Sequence, residues 1–266
     1  LYVIPDRKVS LADVREGMRN HYEGTELSMT NDPGAGAYKV PYRWRPMTFK
    51  SEGREYFNER AIATQQTGFV LIAQMRSWLP DAVGGILWFG VDDANTAVLT
   101  PMYTSITEIP ECYRRGNGSM TEFSWTSAFW IHNWVANMAY NRYEPMIRDI
   151  RPVQKELEDS YVDLVKNTDA KALELLKSSP AQATAYLTEV CGKVANEATA
   201  RWKKLGEYLL VKYMDGNVKK EKDGKFEENG YGQIVMPSFP GYDKDYYERI
   251  ATCSEAGRLE VPKDKK

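Results

Sequence analysis

The chain has 266 residues, and its 42% hydrophobic and 27% charged content is that of a globular protein and not of a disordered one. A formal charge of −2 gives no electrostatic footprint for nucleic acid and no surface built for anionic lipid. The three cysteines are widely spaced and the two histidines form no HExxH motif, so neither a disulfide framework nor a zinc site is supported, and no run is long and apolar enough to span a membrane.

In chain order, Ser10 can cap a short amphipathic helix whose apolar positions are Leu11, Val14, Met18 and Tyr22, with Gly24 as its stop. The segment 26–55 is rich in Gly, Pro and turn residues and reads as a long loop. Its NDPGAGAY stretch is glycine-rich but lacks the strand before it and the helix after it that a phosphate cradle needs. Strand-like runs follow at 60–65 and 69–77 around a turn at Gly68, then at 84–93 and 96–103 around Ala94 and Asn95. Four strands on short connections predict an antiparallel meander. The unbroken ILWF predicts a strand covered on both faces.

After Pro110 the pattern becomes helical. An aromatic helix is predicted over 121–143, a second over 145–166 with Pro152 in its first turn or at a bend, and a short one over 169–179. The longest, 181–214, carries Leu187, Val190, Val194, Ala198, Trp202, Leu205, Leu209 and Tyr213 at steps of three and four, with Cys191 on its apolar side as a buried, inert thiol. That stripe lacks sustained heptads, so packing on the sheet is expected rather than a coiled coil. A polar loop or hairpin at 215–232 and a short helix at 243–257 complete the chain. Loop and antiparallel strands occupy 1–110 and a mainly helical layer with a tail occupies 111–266, which makes the fold class α+β.

Local motifs for chemistry are few. Adjacent strand residues point to opposite faces, so Asp92 and Asp93 cannot chelate a metal together and suit a turn. Arg60 and Thr64 share a face of the first predicted strand. An Arg there can grip a carboxylate, and Thr64 and Gln65 can donate to an oxyanion or a substrate amide; the competing reading is a solvated strand end.

The blocks HYEGT (from His21), PYRWRPMTF, RSWLPD, GGILWFGVDDA and FSWTSAFWIHNWVANMAYNRYEPMI occur in an order that resembles the bacterial PepD-type dipeptidases, cysteine peptidases related to the secernins. The resemblance runs from about residue 1 to 161. It implies an N-terminal-nucleophile hydrolase fold, an αββα sandwich of two antiparallel sheets between helical layers. It also implies an N-terminal catalytic Cys whose own amine is the base and whose substrate is a short peptide, with no metal or organic cofactor.

This sequence starts at Leu1, and none of Cys112, Cys191 and Cys253 matches that Cys. The expectation is therefore that the 266 residues are the C-terminal portion of one such domain. The missing N-terminal part would then be its partner, and an uncovered sheet would favour homo-oligomers. Arg60, Thr64 and Gln65, then Trp88 and Asn133, are the expected substrate-pocket residues. An amidase of non-peptide substrates and a non-catalytic protein-binding module are the alternatives.

Overall fold

The computed structural model describes residues 2–44, 46–57, 60–253 and 256–261. Helix α1 (Leu11–Met18) opens on a reciprocal cap: the Ser10 side chain accepts from the Asp13 backbone, and the Asp13 carboxylate accepts from the Ser10 N–H. The loop predicted over 26–55 is partly structured. It holds a 3-10 turn at Pro33–Tyr38 and a hairpin of β1 (Thr48–Ser51) and β2 (Arg54–Phe57), whose turn uses Glu52 and Gly53 at positive φ.

The main sheet has three strands and not four. β3 (Phe69–Met75) pairs antiparallel with β4 (Gly85–Val91), and β4 with β5 (Thr100–Tyr103); one helical turn, α2 (Asp81–Gly84), links β3 to β4. Residues 60–65 form no strand. Their backbone is taken up by other partners: the Ala63 N–H donates to the Asn20 carbonyl, and the Arg60 carbonyl accepts from the Tyr22 hydroxyl. Thr64 turns the chain, its carbonyl accepting from the Thr67 N–H.

α3 (Ala128–Asn141) starts later than predicted, and α4 (Tyr143–Ser178) fuses the two helices expected on either side of residue 167. Pro152 lies inside α4, neither in its first turn nor at a break. α5 (Pro180–Tyr213) follows with Ser179 as its cap, and its predicted stripe is buried almost throughout. A two-residue pair, β6 (Glu221–Lys222) with β7 (Lys225–Phe226), and α6 (Lys244–Thr252) lie beyond it.

One face of the sheet carries Val70, Ile86, Trp88 and Tyr103 into the core with α3, α4 and α5. On the other face β3 presents Phe69, Leu71 and Met75, which are 60%, 43% and 75% exposed. Leu87 and Phe89 of β4 are half-buried, so ILWF is enclosed on one face and only partly on the other. The free edge of β5 lies against α5. There the Cys191 Sγ accepts from the Tyr103 N–H and its thiol donates to the Pro101 carbonyl, which closes the edge. Pro101 fits that edge position because it has no N–H to pair. Burial pushes the Cys191 thiol up to about 11, as suits a packing thiol.

Candidate functional site

Two of the sequence blocks meet in a buried polar network. HYEGT leaves the end of α1 in a turn, with Tyr22 at φ 63° and Gly24 at 79°. GVDDAN runs from β4 into its own turn, with Asp92 at φ 69° and Asp93 accepting from both the N–H and the hydroxyl of Thr96. The His21 ring is fully buried between the turns. Its Nε2 lies 3.3 Å from the Tyr140 hydroxyl, which gives its single proton to Asp93 Oδ1 at 3.0 Å. Nε2 must then be the donor to Tyr140. His21 Nδ1 lies 3.2 Å from Glu23 Oε1 and 3.3 Å from Asn95 Nδ2. Burial raises the Glu23 carboxyl, but the His21 ring and backbone bonds outweigh it and hold the group at about 2.

Helix α4 supplies the floor of this network. Arg151 and Gln154 donate to the Asn95 carbonyl, and Gln154 also donates to that of Ala97. Glu158 accepts from the Leu99 N–H at 2.9 Å and from Arg19 at 2.5 Å. A buried turn would otherwise strand these backbone groups, each at a cost of about 1–3 kcal/mol.

A second chain of bonds leads from the core to the surface. Asp92 Oδ1 accepts from Asn133 Nδ2 at 2.8 Å, Asn133 Oδ1 from Asn137 Nδ2 at 3.1 Å, and Asn137 Oδ1 from Gln65 Nε2 at 3.0 Å. Asn133 and Asn137 are four apart and lie on one face of α3. Asp92 Oδ2 is buried without a partner, and burial lifts this carboxyl to about 7 against the opposing bond from Asn133. The chain of bonds thus links Gln65 at the surface to the buried Asp92 carboxyl.

The predicted site residues separate into three places. Gln65 and Asn133 join the chain just described. Arg60 and Thr64 line a crevice of about 10 Å³ beside Tyr42 and Arg43, room for about one water. Because residues 60–65 are not a strand, the shared strand face expected for Arg60 and Thr64 does not exist. Trp88 lies elsewhere, 2% exposed beneath the Arg15 guanidinium at 4.8 Å and bonded to Gln74. Composition and periodicity did not single out His21, Tyr140, Tyr143, Asn95 or Asn137. The three-residue spacing of Tyr140 and Tyr143 is the one local signal that could have placed two of them on a common face. Among the described residues no three His, Cys, Asp or Glu side chains are grouped to hold a metal ion.

Residues 1–156 match the family model described as peptidase family C69. The chain is 28% identical over 197 residues to a protein named probable dipeptidase from Latilactobacillus sakei, covering 73% of this chain and 36% of the relative. It is 27% identical over 208 residues to probable dipeptidase B of Lactococcus lactis subsp. lactis, covering 77% and 38%. A dipeptidase A from Lactobacillus helveticus is 23% identical over 158 residues, covering 59% and 27%. The chain thus spans little more than a third of the length of the first two relatives. With HYEGT and GVDDAN both inside the matched segment, and that segment more than half of its length, this chain belongs to peptidase family C69.

Proposed function

We propose that these residues form the pocket-bearing portion of a cysteine-type dipeptidase with an N-terminal-nucleophile αββα architecture. The observation that carries this reading is the match of residues 1–156 to a peptidase family, together with relatives named as dipeptidases. In this reading a thiolate attacks the peptide carbonyl, an α-amino group with a pKa near ~8 takes the proton, and water clears the acyl-enzyme. No metal or organic cofactor takes part.

The cysteines here do not suit the nucleophile. Cys112 and Cys191 are buried, with thiols pushed up by burial, and Cys253 is exposed at the end of α6. The reading therefore assigns the attacking sulfur to polypeptide outside these 266 residues. That polypeptide would cover the apolar outer face of β3. The exposure of Phe69, Leu71 and Met75 supports this assignment, and a patch left open would favour self-association.

The pocket would lie where residues 60–68 meet α3. Arg60 is exposed and available to a substrate carboxylate, and Gln65 is held by Asn137. The test is Arg60→Ala and Gln65→Ala in the complete enzyme, assayed on dipeptides and on acyl-amides. The expected result is dipeptide hydrolysis with kcat/KM lowered more than about tenfold by Arg60→Ala. A change within about twofold, with the fold intact, would remove Arg60 from the pocket. Preference for acyl-amides would reassign the substrate.

A further inference from the structure

The two edges of the main sheet differ. Beyond β5 the outward backbone groups are met, since Cys191 takes up the Tyr103 N–H and the Pro101 carbonyl. β3 is the end strand on the other side and pairs with β4 alone. Its register fixes which groups point each way. The Gly68 carbonyl accepts from the Asp92 N–H and the Arg76 N–H donates to the Gly84 carbonyl, both at 2.9 Å, so the even-numbered residues exchange bonds with the β4 side. The N–H and C=O of Phe69, Leu71, Ala73 and Met75 therefore point away from β4. Among the described residues none of these backbone groups has a hydrogen-bond partner.

An open strand edge is a template for another strand, and proteins blunt such edges with charge, proline, a bulge or a very short strand. β3 has none of these. FVLIAQM carries no charged residue and no proline, and its pairing with β4 runs unbroken over seven residues. The four residues with open backbone groups also have exposed side chains.

Alternating donors and acceptors at this spacing are matched by an extended strand, and β3 itself fits. A two-fold axis through Ile72, normal to the sheet, sets a second copy antiparallel, with Phe69 opposite the partner's Met75 and Leu71 opposite the partner's Ala73. Each odd-numbered pair then exchanges two backbone bonds, no charges meet, and the apolar stripes of both copies join on one face. An axis shifted by half a residue would set odd residues opposite even ones, which mismatches both the bonds and the faces.

We propose that β3 is a homodimerisation edge: two copies of this chain pair β3 to β3, antiparallel about Ile72, into one six-stranded sheet with the helices of both copies on the same side. The proposal concerns the edge of the sheet and not its outer face, and it does not rest on the dipeptidase reading.

The test is sedimentation equilibrium of the 266-residue chain from about 1 to about 100 μM, where a reversible shift from 30.4 kDa to twice that mass is expected. Ala73→Pro removes one outward N–H and leaves the bonds to β4 in place. It should weaken dimerisation at least about tenfold while the circular dichroism stays that of the parent. Cross-linking reads the register, in a Cys253→Ser background that removes the exposed thiol. Under oxidised glutathione, Ile72→Cys should give a disulfide-linked dimer, because the axis makes the two positions a non-hydrogen-bonded pair with Cα atoms about 4.5 Å apart. Met75→Cys should not, because its two copies would lie about 20 Å apart. Both readouts stand if Ala73→Pro is unstable. A chain that stays monomeric at about 100 μM, a dimer that a folded Ala73→Pro leaves unchanged, or cross-linking through Met75→Cys in place of Ile72→Cys overturns the proposal; the last would assign association to the outer face. Loss of the Ile72→Cys cross-link in the complete enzyme would also overturn it, and would give the edge to a strand of that enzyme's remaining polypeptide.

Discussion

Asn133 donates to one oxygen of Asp92 at 2.8 Å and leaves the other buried without a partner. The carboxyl is raised to about 7 by that burial, so the folded state holds its proton over a range where the unfolded chain has released it. Its contribution to stability is then full below about pH 4 and is lost as pH rises towards 7. Asp92→Asn keeps an acceptor for Asn133 and tolerates the positive φ. The variant should be more stable than the parent at pH 8, by at most about 4 kcal/mol, and equal to it near pH 4. Urea melts of both proteins across that range test this; a pH-independent difference would contradict it.

His132 gives the opposite slope. It is buried against the Trp202 ring at 5.1 Å, and desolvation holds it down at about 3. Its folded value lies below its unfolded one, so the stability it contributes is present above about pH 6.5 and is lost as pH falls towards 3. His132→Phe should flatten the acid limb of the stability curve. An unchanged acid limb would show that His132 takes up its proton in the fold.

Tyr140 ties two turns together, and its removal should be felt in both. Tyr140→Phe strips a donor from Asp93 and an acceptor from His21 at an expected cost of about 1–3 kcal/mol. Combined with Asp93→Asn, the loss should fall short of the sum by more than about 0.5 kcal/mol. Additive losses would mean that the hydroxyl and the carboxylate act independently.

Arg76 pairs with Asp169 of α4, and both it and the Asp169-bonded Tyr103 are buried. Arg76→Ala leaves Asp169 without its cation and should destabilise the protein by about 3–5 kcal/mol. Thermal melts of Arg76→Ala and of Arg76→Ala with Asp169→Leu decide the cause. The double variant should recover part of the loss, because the stranded charge is gone.

At Gly206 two effects compete. Alanine gains about 1 kcal/mol of helix propensity. The added Cβ would fall inside the contact radius of the Trp134 indole, where α3 and α5 meet, and overpacking of this kind costs about 1–3 kcal/mol. The clash should win, so Gly206→Ala is expected to lower the urea midpoint; a raised midpoint would show that Trp134 can yield.

How much of this could be read from the sequence depends on what held each segment in place. The stripe of α5 and the strands β3 and β4 follow from apolar spacing, because burial of those side chains is what fixes them. Residues 60–65 have strand-like side chains, yet their backbone bonds go to Asn20 and Tyr22, partners some 40 residues away that no local pattern reports. Pro152 marked a boundary by propensity, but Arg151 and Gln154 on either side are tied to the Asn95 carbonyl, and α4 continues through it. Gln154 and Glu158 are polar helix residues that no local pattern marks as core, yet they are 1% and 3% exposed, because they bond the backbone of the turn after β4. Of the site, HYEGT and GVDDA were visible as blocks; that they touch is a tertiary fact. Trp88 was visible only as an aromatic, and Arg15 above it makes it core.

Helix α4 touches the sheet twice, through Glu158 near the start of β5 and through Asp169 near its end. Eleven residues separate these anchors, about 16 Å along the axis. The helix is thus a gauge whose two marks must face the same way. One residue added or removed between them would swing Asp169 by about 100° off Arg76 and Tyr103 while leaving Glu158 in place. Length between residues 158 and 169 is therefore fixed by geometry, whereas the exposed identities along that span are free to drift.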